Sequence, residues 1–267
     1  MKAYLAIFRI RFINAVQYRA AAAAGVATQF AFGFMFIFAF EAFYRANPAA
    51  FPMEFSHTVS YIWMQQAFLA LFFTWFWEND IAAAIMEGAI AYEMVRPVDL
   101  YGRWFCQASA NRLAKTVLRC VPILLVAFLL PEPYRMSPPP NLGQFALFLL
   151  SMALSLFVVV AFSMLIYTSL FYTLSASVLR FIIAVLSDFL AGGTVPLPFF
   201  PGPLRAACEL LPFAAMQNMP LRIYSGNISG AHALSGIGLQ IFWLAVLLFA
   251  GRLFMGRALK KVIVQGG

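Results

Sequence analysis

The chain has 267 residues, 63% of them hydrophobic and only 10% charged, with 30 Phe, a mean hydropathy of +0.84 and a formal net charge of +8. Soluble domains carry about 25% charged and about 45–50% apolar residues, so this composition excludes a water-soluble globule and requires apolar surface that faces lipid. The positive balance would also suit a polynucleotide, but basic inner loops beside anionic headgroups account for it, and nucleic acid is not an expected partner.

Residues 1–19 read as a helix at the inner membrane surface, with Leu5, Phe8, Phe12 and Val16 on one stripe and Arg11 and Asn14 away from it. The first apolar run, Ala20 to Phe43, is too long for the core of a cleavable leader and reads as an uncleaved anchor. Further runs follow at His57–Trp77, Leu113–Leu130 (which contains Pro122), Leu142–Thr168, Leu179–Val195 and Ala233–Phe254. About 20 apolar residues in a helix cross the hydrocarbon core. The expected fold is therefore all-α: one transmembrane domain over 1–267 with six spanning helices.

Basic residues orient it. With both termini in the cytoplasm, the inner segments hold 14 of the 18 Lys and Arg residues, leaving Arg45, Arg135, Arg205 and Arg222 outside. All prolines but Pro97 and Pro122 then fall in outer segments. The last outer segment, within 195–231, has six prolines between Val195 and Ser229 yet stays apolar. Irregular backbone at membrane depth must be covered by protein, so short re-entrant helices are expected there, one near Leu204 to Leu211.

Half of the acidic residues lie in one island, Glu78 to Asp99, within the inner loop 78–112. Ionised groups facing lipid cost several kcal/mol each, so the island belongs in water. Ile81, Ile85, Ile90 and Met94 offer apolar contacts, while Asp80, Glu87 and Glu93 stay polar. Gly88 interrupts the pattern and Arg96-Pro97 ends it, because a residue preceding proline leaves helical geometry. This is either a short helix across the membrane plane that docks onto a partner, or a solvated connector.

Chemistry-bearing constellations are sparse. There is no GxxxxGK[ST] loop, so the chain is expected to hold no nucleotide, and His57, His232 and the cysteines Cys106, Cys120 and Cys208 lack metal-ligand spacing. Asp188 is the one acid well inside an apolar run, about 12 Å along a helix starting at Arg180. It contacts substrate or moves during gating, or it is a structural acid bonded to Ser187, Thr194 or a neighbouring helix. Gln65 and Gln66 in the second run are further candidates for lining a path.

The pattern of Glu87, Gly88, Ile90, Arg96, Pro97 and Val98 resembles the loop after the second span of ABC-2 type transporter permeases. The stretch VPLPFFPGPLRAACELLPFAAMQNMPLRIYSGN resembles that family's segment before its last span, and the likeness covers nearly the whole chain. The resemblance implies the membrane subunit of an ATP-driven exporter in a bacterial plasma membrane, working with a second permease subunit, identical or related, and with membrane lipid around it. The island would be a coupling helix seated on a separate ABC ATP-binding subunit, through Ile85, Glu87, Gly88, Ile90, Met94, Arg96 and Pro97. ATP and Mg would sit on that partner, with no cofactor and no catalytic residue in this chain. Gln65, Gln66 and Asp188 would line a path between two permeases. The competing expectation is a self-contained secondary transporter coupled to an ion through Asp188. The cargo is not readable from either.

Overall fold

A computed structural model describes residues 2–17, 19–173 and 176–260; Met1 and Tyr18 of the expected surface helix and Lys261 of the basic tail lie outside them. Within the described residues every regular element is helical.

The first helix, α1 (Lys2–Val16), runs beside the start of the long helix α7 (Leu100–Leu129). Tyr4 fits against Gly102, where a Cβ would come within 3.1 Å of its ring. The partner of α1 is thus another helix, and that brings Arg11 into the contact face. Phe8, Phe12 and Val16 of the expected stripe are half-buried, together with Tyr4, Arg11 and Ala15, whereas Leu5 of that stripe is 71% exposed with Ile10 and Ile13.

Next come α2 (Arg19–Ala46) and α3 (Phe55–Ala67). They pack through Trp63, which is fully buried and meets Phe34 edge-on at 5.1 Å between ring centroids. Gly33 lets the helices close, because a Cβ there would stand 2.8 Å from the indole. Such ring pairs add about 0.5–1.5 kcal/mol to the area they bury. Gln29 also donates to the Gln66 carbonyl at 2.8 Å.

The second apolar run does not stay helical to Trp77. It breaks at Phe68, resumes as α4 (Leu69–Phe72) and leaves helical geometry at Phe73. The cause is Arg112 of α7, 2% exposed, whose guanidinium donates to the carbonyls of Phe73 (2.6 Å), Phe76 (3.2 Å) and Leu71 (3.4 Å) and to the Ser163 hydroxyl (3.2 Å). Carbonyls at a helix end need partners, and a buried cation supplies several donors at once.

Two short helices, α5 (Asn79–Met86) and α6 (Ile90–Met94), lead into α7, which begins at Leu100 rather than Leu113 and passes through Pro122 unbroken. The Asp99 carboxylate caps α7, accepting from the Gly102 N–H at 2.7 Å. Opposite lie α8 (Leu142–Ser169) and the last helix, α13 (Gly230–Leu259). Gln240 locks them together: its amide donates to the Ser151 carbonyl (3.2 Å), the Ser155 hydroxyl (3.1 Å) and the Ala215 carbonyl (2.9 Å). Between them in sequence are α9 (Ala176–Ala191) and three short helices, α10 (Gly202–Leu210), α11 (Pro212–Met216) and α12 (Asn218–Tyr224). All seven residues of α12 are buried, so the apolar, proline-rich segment folds back onto the bundle.

Among the described residues, three helices are long and apolar enough to cross a membrane: Ala22–Ala46, Leu142–Tyr172 and Gly230–Leu259. Of the other three expected spans, α3 is broken from α4, α7 is polar in its first half, and α9, with 16 residues, reaches only about 24 Å. Exposed Phe181, Ile182, Val185, Leu186 and Phe189 nonetheless give α9 an apolar outer face.

Candidate functional site

Helices α5 and α6 fold into a hairpin-like island around Gly88. Its φ is +76°, in the left-handed region that costs an L side chain about 1–2 kcal/mol. Among the described residues nothing lies within 4 Å of where its Cβ would be.

The underside of the island is fixed. Ile81 (1% exposed) and Ile90 (4%) enter a cluster with Leu100, Trp104, Tyr167 and Met255, which joins the island to α7, α8 and α13. Each isoleucine so buried contributes about 2 kcal/mol. Tyr101, in the same cluster, meets Gly251 of α13, where a Cβ would stand 2.6 Å from the phenol oxygen.

Four of the island's five acids are also held within the chain. The Glu78 carboxylate accepts from Asn111 at 2.6 Å, and its backbone N–H donates to the Tyr167 hydroxyl at 2.9 Å. Asp80 pairs with Arg11 of α1 at 2.7 Å. Glu93 pairs with Arg103, with Arg96 at 3.6 Å, and accepts from the Trp104 indole at 3.3 Å. Burial, and after it the neighbouring Arg11, pull the Arg103 guanidinium below its usual pKa. Asp99 is spent on the cap of α7. The fifth acid, Glu87, has no hydrogen-bond or ion-pair partner among the described residues.

Glu87 therefore stands free at the turn, amid exposed Met86 (44%), Tyr92 (77%), Met94 (46%) and Val95 (82%). Of the residues expected to face a partner, Glu87, Gly88, Met94, Arg96 and Pro97 are exposed and Ile85 is half-buried. Ile90 is placed differently: it points into the cluster beneath. Tyr92 and Val95, two and five residues later, take the outward positions that apolar spacing alone assigned to Ile90.

The other three candidates lie apart from the island. Gln65 is buried and donates to the Gly193 carbonyl, and Gln66 is buried beside α2. Asp188 accepts from the Thr194 hydroxyl at 2.9 Å, while the Ser187 hydroxyl goes instead to the Ile183 carbonyl. The second carboxylate oxygen of Asp188 is buried without a hydrogen-bond partner among the described residues and lies against Gly193. Phe72, Thr74, Ser187, Met216 and Gln217 line a narrow cavity beside it.

Sequence reasoning passed over Arg112, which shapes the entry to the island. Its signal was a cation on the same helix as an apolar span. Gln240 was likewise marked only by being an amide within the sixth apolar run.

A family model described as ABC-2 family transporter protein matches residues 30–266. The chain belongs to the ABC-2 transporter family. No curated protein matches it. Membership makes this ABC-2 protein a multi-pass membrane protein and the permease component of an ABC transporter, whose ATP-binding function resides on another subunit.

Proposed function

We propose that this ABC-2 permease is the transmembrane subunit of an ATP-driven exporter, and that the α5–α6 island is the coupling helix that receives the motion of the ATP-binding subunit. One observation carries the reading: four acids anchor the island while Glu87 remains free at its glycine turn, ringed by exposed Met86, Tyr92 and Val95. A rigid base under an unpaired charge and exposed aromatic and aliphatic groups suits a protein interface. Push on that surface reaches the bundle through Ile81, Ile90 and the Glu93–Arg103 pair. ATP and Mg sit on the partner. The proposed setting is a bacterial plasma membrane, both termini cytoplasmic, with α10–α12 closing the path on the outer side as re-entrant helices.

A second permease, a copy or a relative, would cover the apolar face of α9, with the path running between the two subunits near α3 and α9. Gln65, Gln66 and Asp188 reach that path only when the bundle opens, since the two glutamines are buried in this conformation. Replacing Glu87 with Lys and Tyr92 with Ala should prevent co-purification with the ATP-binding subunit and abolish coupled ATPase activity, with membrane insertion unchanged. Normal coupling in that variant overturns the docking role.

The half-partnered carboxylate of Asp188 favours a second reading, ion-coupled transport without an ATPase. Flux driven by a proton gradient in vesicles holding this chain alone would support it and sink the first.

A further inference from the structure

On the inner side, α1, α2, α7 and residues 76–80, which include the start of α5, enclose an open cleft of about 550 Å³. That lies within the roughly 300–1,000 Å³ usual for small-ligand sites. Its charged lining is uneven in how it is used. Arg11 neutralises Asp80 at 2.7 Å, and Glu78 is engaged by Asn111 at 2.6 Å. Lys115 and Arg119, one turn apart on α7, have no carboxylate partner among the described residues. Both flank the Phe76 ring instead, the Lys115 Nζ at 5.9 Å and the Arg119 Cζ at 5.6 Å from its centroid.

The seat of Arg119 is built for it. Gly25 of α2 faces the guanidinium so closely that a Cβ there would stand 2.8 Å from Cζ. Lys115 and Arg119 are both half-buried, near the inner end of the third apolar run. Three cations, Arg11, Lys115 and Arg119, line the cleft against two carboxylates, Glu78 and Asp80, so it keeps a net positive charge that an anion would balance, and it opens where α1 meets α7. Arginine presents a fork suited to phosphate oxygens and lysine adds a point charge. Basic pockets between helices at this level suit lipid headgroups.

We propose that this cleft binds the phosphate of an anionic membrane phospholipid, held by Lys115 and Arg119 with the Asn111 and Asn14 amides at its rim, and that the lipid wedges α1 against α7. The site is separate from the ATPase-docking surface, and it holds whether or not that surface does.

Native mass spectrometry of the full-length protein tests it, with phosphatidylglycerol or phosphatidylcholine added to the detergent-purified chain. Phosphatidylglycerol should bind at least tenfold more tightly, and K115Q/R119Q should erase the preference while K115R/R119K keeps it. Should the double glutamine variant fail to fold, G25L, which fills the seat of Arg119 and leaves both charges in place, should lower phosphatidylglycerol affinity severalfold. Equal binding of the two lipids by the native chain, or an undiminished preference in K115Q/R119Q or G25L, overturns the proposal. Displacement of phosphatidylglycerol by millimolar inorganic phosphate overturns the lipid as the source and makes the site one for a soluble anion.

Discussion

The Arg112 guanidinium donates to the main-chain carbonyl of Phe73 at 2.6 Å, at the point where α4 ends and the connection to the island begins. A cation in the interior is costly unless its donors are used, and here backbone carbonyls of the broken helix use them. The residue that stops α4 stands on α7, so the second and third apolar runs are joined through a buried polar knot.

Arg112→Met should leave the carbonyls of Leu71, Phe73 and Phe76 short of donors. Each unsatisfied buried group costs about 1–3 kcal/mol, so thermal unfolding in detergent should fall on the order of 10 °C. Arg112→Lys, which cannot span three acceptors, should recover only part of it. An unchanged melting temperature in the Met variant would show that the knot does not stabilise the fold.

Gly88→Val should disturb the island without any clash. Open space surrounds the position, and the cost is backbone alone, about 1–2 kcal/mol at φ +76°. The turn would shift, and with it the placement of Glu87. Coupled ATPase activity should drop at least tenfold in Gly88→Val and stay within about twofold in Gly88→Asn, since asparagine tolerates this region. Equal activities in the two variants would rule out a role for the turn's shape.

The Glu93–Arg103 pair ties α6 to α7 beneath the exposed surface. A double-mutant cycle with Glu93→Gln and Arg103→Met, read by thermal unfolding, should give a coupling of about 1–3 kcal/mol. Arg103 is 7% exposed at its side chain and Glu93 21%, so the single Glu93→Gln change should be the more damaging, leaving a buried cation unmatched. A coupling near zero would mean that the apolar cluster alone holds α6.

Asp188 and Gly193 separate transport mechanism from packing. Gly193→Ala should destabilise by about 1–3 kcal/mol, because the added methyl takes the space of the Asp188 carboxylate. Asp188→Asn keeps the acceptor for Thr194 and removes only the charge. Cargo transport within about twofold of the native protein is expected in Asp188→Asn, whereas an ion-coupled carrier would lose transport entirely.

Hydropathy and charge are properties of residues taken one at a time, and they sum along the chain. For that reason the membrane class, the helical fold, the apolar runs and the charged island were all legible from the sequence by itself. The Glu87-Gly88 and Arg96-Pro97 pairs were legible too, because a turn's chemistry is local. Which side chains of the island face outward was legible only in part. Ile90 and Tyr92 differ by two helical positions, and only the packing of α6 over Trp104 and Tyr167 turned the isoleucine in and the tyrosine out. In α1 the stripe of Phe8, Phe12 and Val16 was legible, and packing on α7 decided only that Arg11 joins it and Leu5 does not. Arg112 reaches carbonyls some forty residues upstream, and Lys115 and Arg119 share a cleft with α1 and α2. Those relationships depend on how helices rotate and cross in space, which no local pattern encodes, and the tertiary structure alone decided them.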